Sequence, residues 1–117
     1  MDTIAMAKIA ALAADEKKAR DILTLDIRNL TTIADYFVIC GAGSFAQAQA
    51  IADNIEEKMR SAGHDLLHAE GRGRGQGNWI LLDYGGLVAH VFREEDRRFY
   101  NLEQLWGDAP VVRTAGL

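Results

Sequence analysis

An α/β domain with a mixed β-sheet flanked by helices is the architecture expected of this chain, and three features predict it. "DYFVICG" (35–41) is a continuous apolar run of strand-forming residues, the pattern of a strand covered on both faces. "SFAQAQAIADNIEEKM" follows with helical periodicity, and a long helix can carry the chain to a parallel strand by a right-handed crossover. "WILLDYGGLVAHVF" is two apolar runs joined by Gly85-Gly86, a pair that supplies the positive φ angles of a tight hairpin and so forces one antiparallel pairing.

Taken in order, residues 3–19 are alanine-rich and favour helix by propensity, with Asp2 or Thr3 as cap. Ile4, Ile9 and Leu12 give only a weak apolar face, so this helix is expected at the edge of the core. "DILTLDI" (21–27) alternates as a strand does, with Ile22, Thr24 and Asp26 on one face and Leu23, Leu25 and Ile27 on the other. A polar turn, "RNLTTIA", leads into the apolar strand. Beyond it, Ser44 is a suitable N-cap and Gln47 stands at the third helical position of a capping box. Ala48, Ile51, Ala52, Ile55 and Met59 form one buried stripe, and Gly63 is placed to end the helix. "HDLLHAE" (64–70) reads as a third strand and "GRGRGQGN" as a loop. After the hairpin, "REEDRRFYNLEQLW" reads as helical turns carrying Phe99, Leu102, Leu105 and Trp106, and "GDAPVVRTAGL" as a frayed or loosely docked tail. The order is α-β-β-α-β-β-β-α.

The bulk properties fit one domain. There are 117 residues, 49% hydrophobic, with 13 basic and 17 acidic side chains giving a net charge of −4. That balance supplies no electrostatic drive toward bare nucleic acid. The one cysteine, Cys40, lies within the apolar strand and reads as a small buried hydrophobe, consistent with a reducing compartment. No apolar stretch approaches the ~20 residues of a membrane span, and the first residues read as a structural helix of a cytoplasmic protein rather than a leader.

"GAGS" between a strand and a helix invites a phosphate, because backbone N–H groups and a positive dipole end converge there. The motif lacks the lysine of a P-loop and the third glycine of a dinucleotide fingerprint. It also resembles the opening of a nucleotidyltransferase site, which needs paired carboxylates on the next strand to hold metal ions. Asp65 and Glu70 are five apart, which on a strand puts them on opposite faces. Glu94 and Asp96 fall in a charged, solvated run. The favoured reading is that Gly41 and Gly43 make a tight turn while Ser44 caps the helix. His64 and His68 share a strand face but lack a third ligand in the local sequence. No metal, cofactor or catalytic residue is therefore expected. Arg72 and Arg74, without interleaved aromatics, read as solvated loop arginines, with RNA contact as the alternative.

If the Gly-Gly turn is taken literally, Trp79 pairs with Phe92, Ile80 with Val91, Leu81 with His90 and Leu82 with Ala89. One face then carries Ile80, Leu82, Tyr84, Leu87, Ala89 and Val91, the other Trp79, Leu81, Asp83, Val88, His90 and Phe92. Both faces are apolar, where a half-wetted hairpin should alternate. Trp79 and Phe92 fit an internal cross-strand aromatic pair as well as a face awaiting a partner. The scarcity of helices favours partial exposure around Trp79 and Tyr84.

"DYFVICGAGSFAQAQAIADNI", "EGRGRG" and "NWILLDYGGLVAHVFREEDRRFYNLEQLWGDA" together resemble the ribosomal silencing factor family, RsfS or Iojap, from about Thr3 to Ala109. The family domain is taken as residues 1–109, followed by a tail at 110–117. The resemblance implies an α/β domain related to the nucleotidyltransferases but without their catalytic carboxylates. It also implies a non-enzymatic, steric function. Family members bind universal protein fourteen of the large ribosomal subunit and block joining of the small subunit, so that initiation falls when nutrients are scarce. Carried over residue by residue, the motif marks Trp79, Leu81, Tyr84, His90, Phe92 and Tyr100 as partner-binding. The glycine- and arginine-rich loop departs from the family pattern, as does Gly86, which stands where a charged residue is common. Two rivals remain at this level: a degenerate nucleotide-binding relative of the nucleotidyltransferases, and a homodimeric scaffold that buries the same hairpin.

Overall fold

Burial at every position of Tyr36–Ala42 places this strand in the middle of the sheet, as its unbroken apolar run requires. The computed structural model describes residues 3–72, 79–93 and 111–112. Its elements are α1 (Thr3–Glu16), β1 (Arg20–Asp26), β2 (Tyr36–Ala42), α2 (Phe45–Ser61), β3 (His68–Glu70), β4 (Trp79–Asp83), β5 (Leu87–Arg93) and β6 (Val111–Val112). The sheet order is β3-β4-β5-β2-β1-β6. Only β2 and β5 run parallel; the remaining neighbours are antiparallel. The mixed sheet is thus as expected, but the chain leaving α2 goes first to the edge at β3 and returns through β4 to β5.

The helices share one face of the sheet. Ile51, Ala52, Ile55 and Met59 of α2 pack with Val38 and Cys40 of β2, Ile80 and Leu82 of β4, and Ala89 and Val91 of β5. Cys40 is buried there as a small apolar side chain. The opposite face carries Leu25, Ile27, Phe37, Ile39, Val88 and Phe92, with Trp79 and Leu81 half-buried at its margin.

Helix α1 corrects the expectation of an edge element. Met6, Ala7, Ala10, Ala11, Ala13 and Ala14 are buried, whereas Leu12 is exposed. Its contact stripe is made of alanines, whose small side chains let the helix backbone approach α2 and the sheet closely. Asn54 of α2, itself buried, donates from Nδ2 to the Ala13 carbonyl and to Glu16 Oε1, both at 2.8 Å. The helix ends at Glu16 because Lys18 turns left-handed (φ 61°) and Ala19 N–H returns to the Ala14 carbonyl at 3.1 Å.

The ends of α2 follow the expected chemistry. Ser44 accepts from Gln47 N–H at 3.1 Å. At the other end Gly63 (φ 88°) donates to Arg60 O and His64 N–H to Met59 O, the paired bonds of a Schellman motif.

Two further expectations change, and one is resolved. The expected 64–70 strand is shortened to His68–Glu70, with Leu67 N–H donating to the Asp83 carbonyl just ahead of it, because the Schellman turn uses His64 and places Asp65 outside the ladder. Of the two readings of the tail, frayed or loosely docked, the second holds for Val111 and Val112, which pair with Leu25 and Thr24 of β1. Gly41 lies inside β2 rather than in a turn, paired with Phe92 and Arg20. The helical turns expected over 93–106 fall almost entirely outside the described residues.

Candidate functional site

The hairpin register is the one the Gly-Gly turn predicts: Trp79 opposite Phe92, Ile80 opposite Val91, Leu81 opposite His90 and Leu82 opposite Ala89. Tyr84 N–H donates to the Leu87 carbonyl at 2.9 Å to close the turn. Only Gly85 has positive φ (87°), the pattern of a II′ turn. Gly86 is needed for a different reason. A Cβ there would lie 2.3 Å from Thr3 Cγ2, and Thr3 Oγ1 donates to Asp35 Oδ2 at 2.9 Å. Gly86 therefore permits a close approach of α1 to the hairpin tip.

On the face away from the helices, four of the expected residues come together. The Trp79 and Phe92 rings stack with centroids 5.0 Å apart, so the internal cross-strand pair exists. Trp79 Nε1 donates to His90 Nδ1 at 3.1 Å. His90 meets Phe37 edge-on at 4.7 Å. Leu81 stands beside His90 across the ladder and is half-buried, as is Trp79. Burial pushes the His90 imidazole down to about 4, which keeps the ring neutral near neutral pH. A neutral imidazole that accepts at Nδ1 carries its proton at Nε2, and that nitrogen is buried with no partner among the described residues.

Gly71 sets where Trp79 enters the sheet. It has φ 82°, and a Cβ would lie 2.0 Å from the Trp79 carbonyl oxygen. The glycine of the "EG" pair is thus a steric requirement of the β3–β4 connection.

Tyr84 is not part of this cluster. It belongs to the helix-covered face and is only 6% exposed. Burial, and secondarily the Glu56 carboxylate, pushes its phenol up to about 12. Trp79 and Tyr84 therefore do not form one exposed surface, because adjacent parities of a strand point to opposite sides. Tyr100 and Arg74 lie outside the described residues. Arg72 corrects the reading of a solvated loop arginine: it pairs with Asp53 and, at 2.8 Å, with Glu56 on α2.

The glycine turn before α2 is closed on itself. Gln47 Oε1 accepts from Gly43 N–H at 2.7 Å, and Gln47 Nε2 donates to the Lys17 and Lys18 carbonyls, each at 3.1 Å. This is the reading of a capped helix rather than an open phosphate cradle, with Gln47 reaching one residue further than an ordinary capping box. His68 Nε2 lies 3.0 Å from Glu70 Oε1, and His64 sits in the turn after α2 rather than beside it on a strand. Among the described residues there is no group of three His, Cys, Asp or Glu able to hold a metal, and no helix long and apolar enough to cross a membrane.

Comparison with known proteins identifies relatives of the chain along its length. A family model described as "Ribosomal silencing factor during starvation" (RsfS) matches residues 1–117. The ribosomal silencing factor RsfS of Bacillus subtilis is 44% identical over 112 residues, spanning 96% of this chain and 93% of that protein. The RsfS of Halalkalibacterium halodurans is 40% identical over 110 residues, spanning 94% and 92%. A crystal structure of a Chromobacterium violaceum protein superposes with a TM-score of 0.87 at 31% identity, covering 98% of this chain and 93% of that one. The sequence, the mixed sheet and these likenesses converge: the chain belongs to the ribosomal silencing factor (RsfS) family.

Proposed function

We propose that this protein binds the large ribosomal subunit through universal protein fourteen and sterically prevents the small subunit from joining, lowering initiation when nutrients are limited. It works in the cytoplasm and makes or breaks no bond. The observation that carries the reading is the half-buried Trp79 beside the half-buried Leu81. The Trp79 indole N–H is already satisfied by His90, so a partner can cover the apolar edge of the ring without leaving a donor unpaired. Trp is enriched among interface anchors, and losing one commonly costs about 2 kcal/mol or more.

His90 and Phe92 support the anchor from beneath. Tyr84 contributes through the helix-side core. Tyr100 is retained as a contact on the family resemblance alone, and Arg74 as the loop residue for ribosomal RNA. The ion-paired Arg72 is the weaker candidate for that role. The nucleotide-binding rival is disfavoured by Gln47, which occupies the Gly43 N–H that a phosphate would need.

Light scattering of purified bacterial subunits tests the function. Added protein is expected to suppress subunit joining, and to do so less well as Trp79→Ala. Joining at an unchanged rate in saturating protein would contradict the proposal.

A further inference from the structure

We propose that His90 is a positioning residue for Trp79: its Nδ1 holds the indole in a single orientation, so that the docking partner meets a preformed edge. This rests on the docking reading above.

Among the described residues, two contacts bear on the orientation of the indole. The ring lies against Phe92 with a 29° interplanar angle, and its N–H reaches His90 Nδ1 at 3.1 Å. Stacking alone leaves an indole free to slide and flip over a flat neighbour. The hydrogen bond removes that freedom, because only one ring orientation brings Nε1 to the imidazole. His90 is itself fixed, 4% exposed and wedged edge-on against Phe37.

Histidine is a costly choice for this place. Accepting at Nδ1 commits the proton to Nε2, which is buried and without a partner among the described residues. A buried donor left unmade is destabilising, and phenylalanine would fill the same space without it. Among the described residues, such a donor calls for an explanation other than stability. Orienting Trp79 supplies one, since a side chain ordered before binding does not lose that freedom on binding.

The test uses the full chain, purified bacterial large subunits and three substitutions. His90→Phe keeps an aromatic ring against Phe37 but removes the acceptor. His90→Asn replaces Nδ1 with an amide oxygen at a similar reach, while burying a poorly satisfied amide. The expected orders cross. His90→Phe melts at or above the Tm of His90→Asn yet binds large subunits about fivefold more weakly than the unmodified protein, about 1 kcal/mol. His90→Asn, although less stable, binds more tightly than His90→Phe. A nitrogen–nitrogen scalar coupling across the Trp79–His90 hydrogen bond is expected by NMR in the unmodified protein. Binding that follows the order of Tm, or absence of that coupling, overturns the proposal. Trp79→Ala separates the two layers. If it weakens binding while His90→Phe does not, positioning fails and docking stands. If Trp79→Ala binds normally, both fail.

Discussion

The indole N–H of Trp79 reaches His90 Nδ1 at 3.1 Å across a diagonal of the β4–β5 ladder, since Trp79 pairs with Phe92 and His90 with Leu81. That bond requires a neutral imidazole. The fold holds His90 at about 4, against an ordinary 6.5. Its unfolded form therefore binds more protons than the folded form between those values, so stability rises with pH through that window. The stabilisation of the neutral ring is complete above about pH 6.5 and is lost as pH falls through 4, an effect of roughly 3 kcal/mol. Thermal melts from pH 7 to pH 4 should show a fall in Tm that is markedly smaller in His90→Phe. Parallel profiles for the two proteins would contradict the assignment.

The hairpin tip offers a second test. Gly86→Ala would drive its Cβ into Thr3 Cγ2. A loss of roughly 1–3 kcal/mol is expected, as for other overpacked contacts. Thr3→Ser removes that methyl group but keeps the hydroxyl that donates to Asp35. Urea denaturation of both singles and the double should therefore show positive coupling, with Gly86→Ala costing less in the Thr3→Ser background. Additive costs would place the strain elsewhere.

Asn54 is the polar tie between the two helices. Asn54→Ala leaves the Ala13 carbonyl and the Glu16 carboxylate without its donors, and a loss of about 1–3 kcal/mol is expected in urea. Asn54→Asp should cost more, because it sets a second carboxylate against Glu16. Equal stability of all three proteins would remove Asn54 from the account.

Much of this was legible in the sequence, for local reasons. The Gly85-Gly86 turn fixes which residues face each other, so the register of the whole hairpin followed from two glycines. Ser44, Gln47 and Gly63 announced both ends of α2, since capping depends on residues three or four apart. The rest depends on distant chain. Alanines that read as mere helix propensity turned out to be the contact stripe of α1, because only the packing partner reveals that a small side chain is the point. Strand parity separates Tyr84 from Trp79, although both are aromatic residues of one hairpin. The partners of Arg72 are not legible locally, because Asp53 and Glu56 are far along the chain. The pairing of Val111–Val112 with β1 has no local signal in so short a strand. The Trp79–His90 bond could have been suspected from an indole and an imidazole one diagonal apart on the same hairpin face.

Gln47 bears on the nucleotide question. With Gly43 N–H engaged at 2.7 Å, calorimetry with ATP and Mg²⁺ should show no binding. Saturable heat that disappears in a Ser44→Ala protein would reopen the cradle before α2.

The most direct measurement is cosedimentation of the protein with purified large subunits, comparing the unmodified chain with Trp79→Ala after circular dichroism has confirmed that both are folded. Loss of an anchor worth about 2 kcal/mol corresponds to more than tenfold in affinity, so Trp79→Ala is expected to bind at least tenfold more weakly. Equal recovery of the two proteins with the large subunit would contradict the docking role of the Trp79 edge.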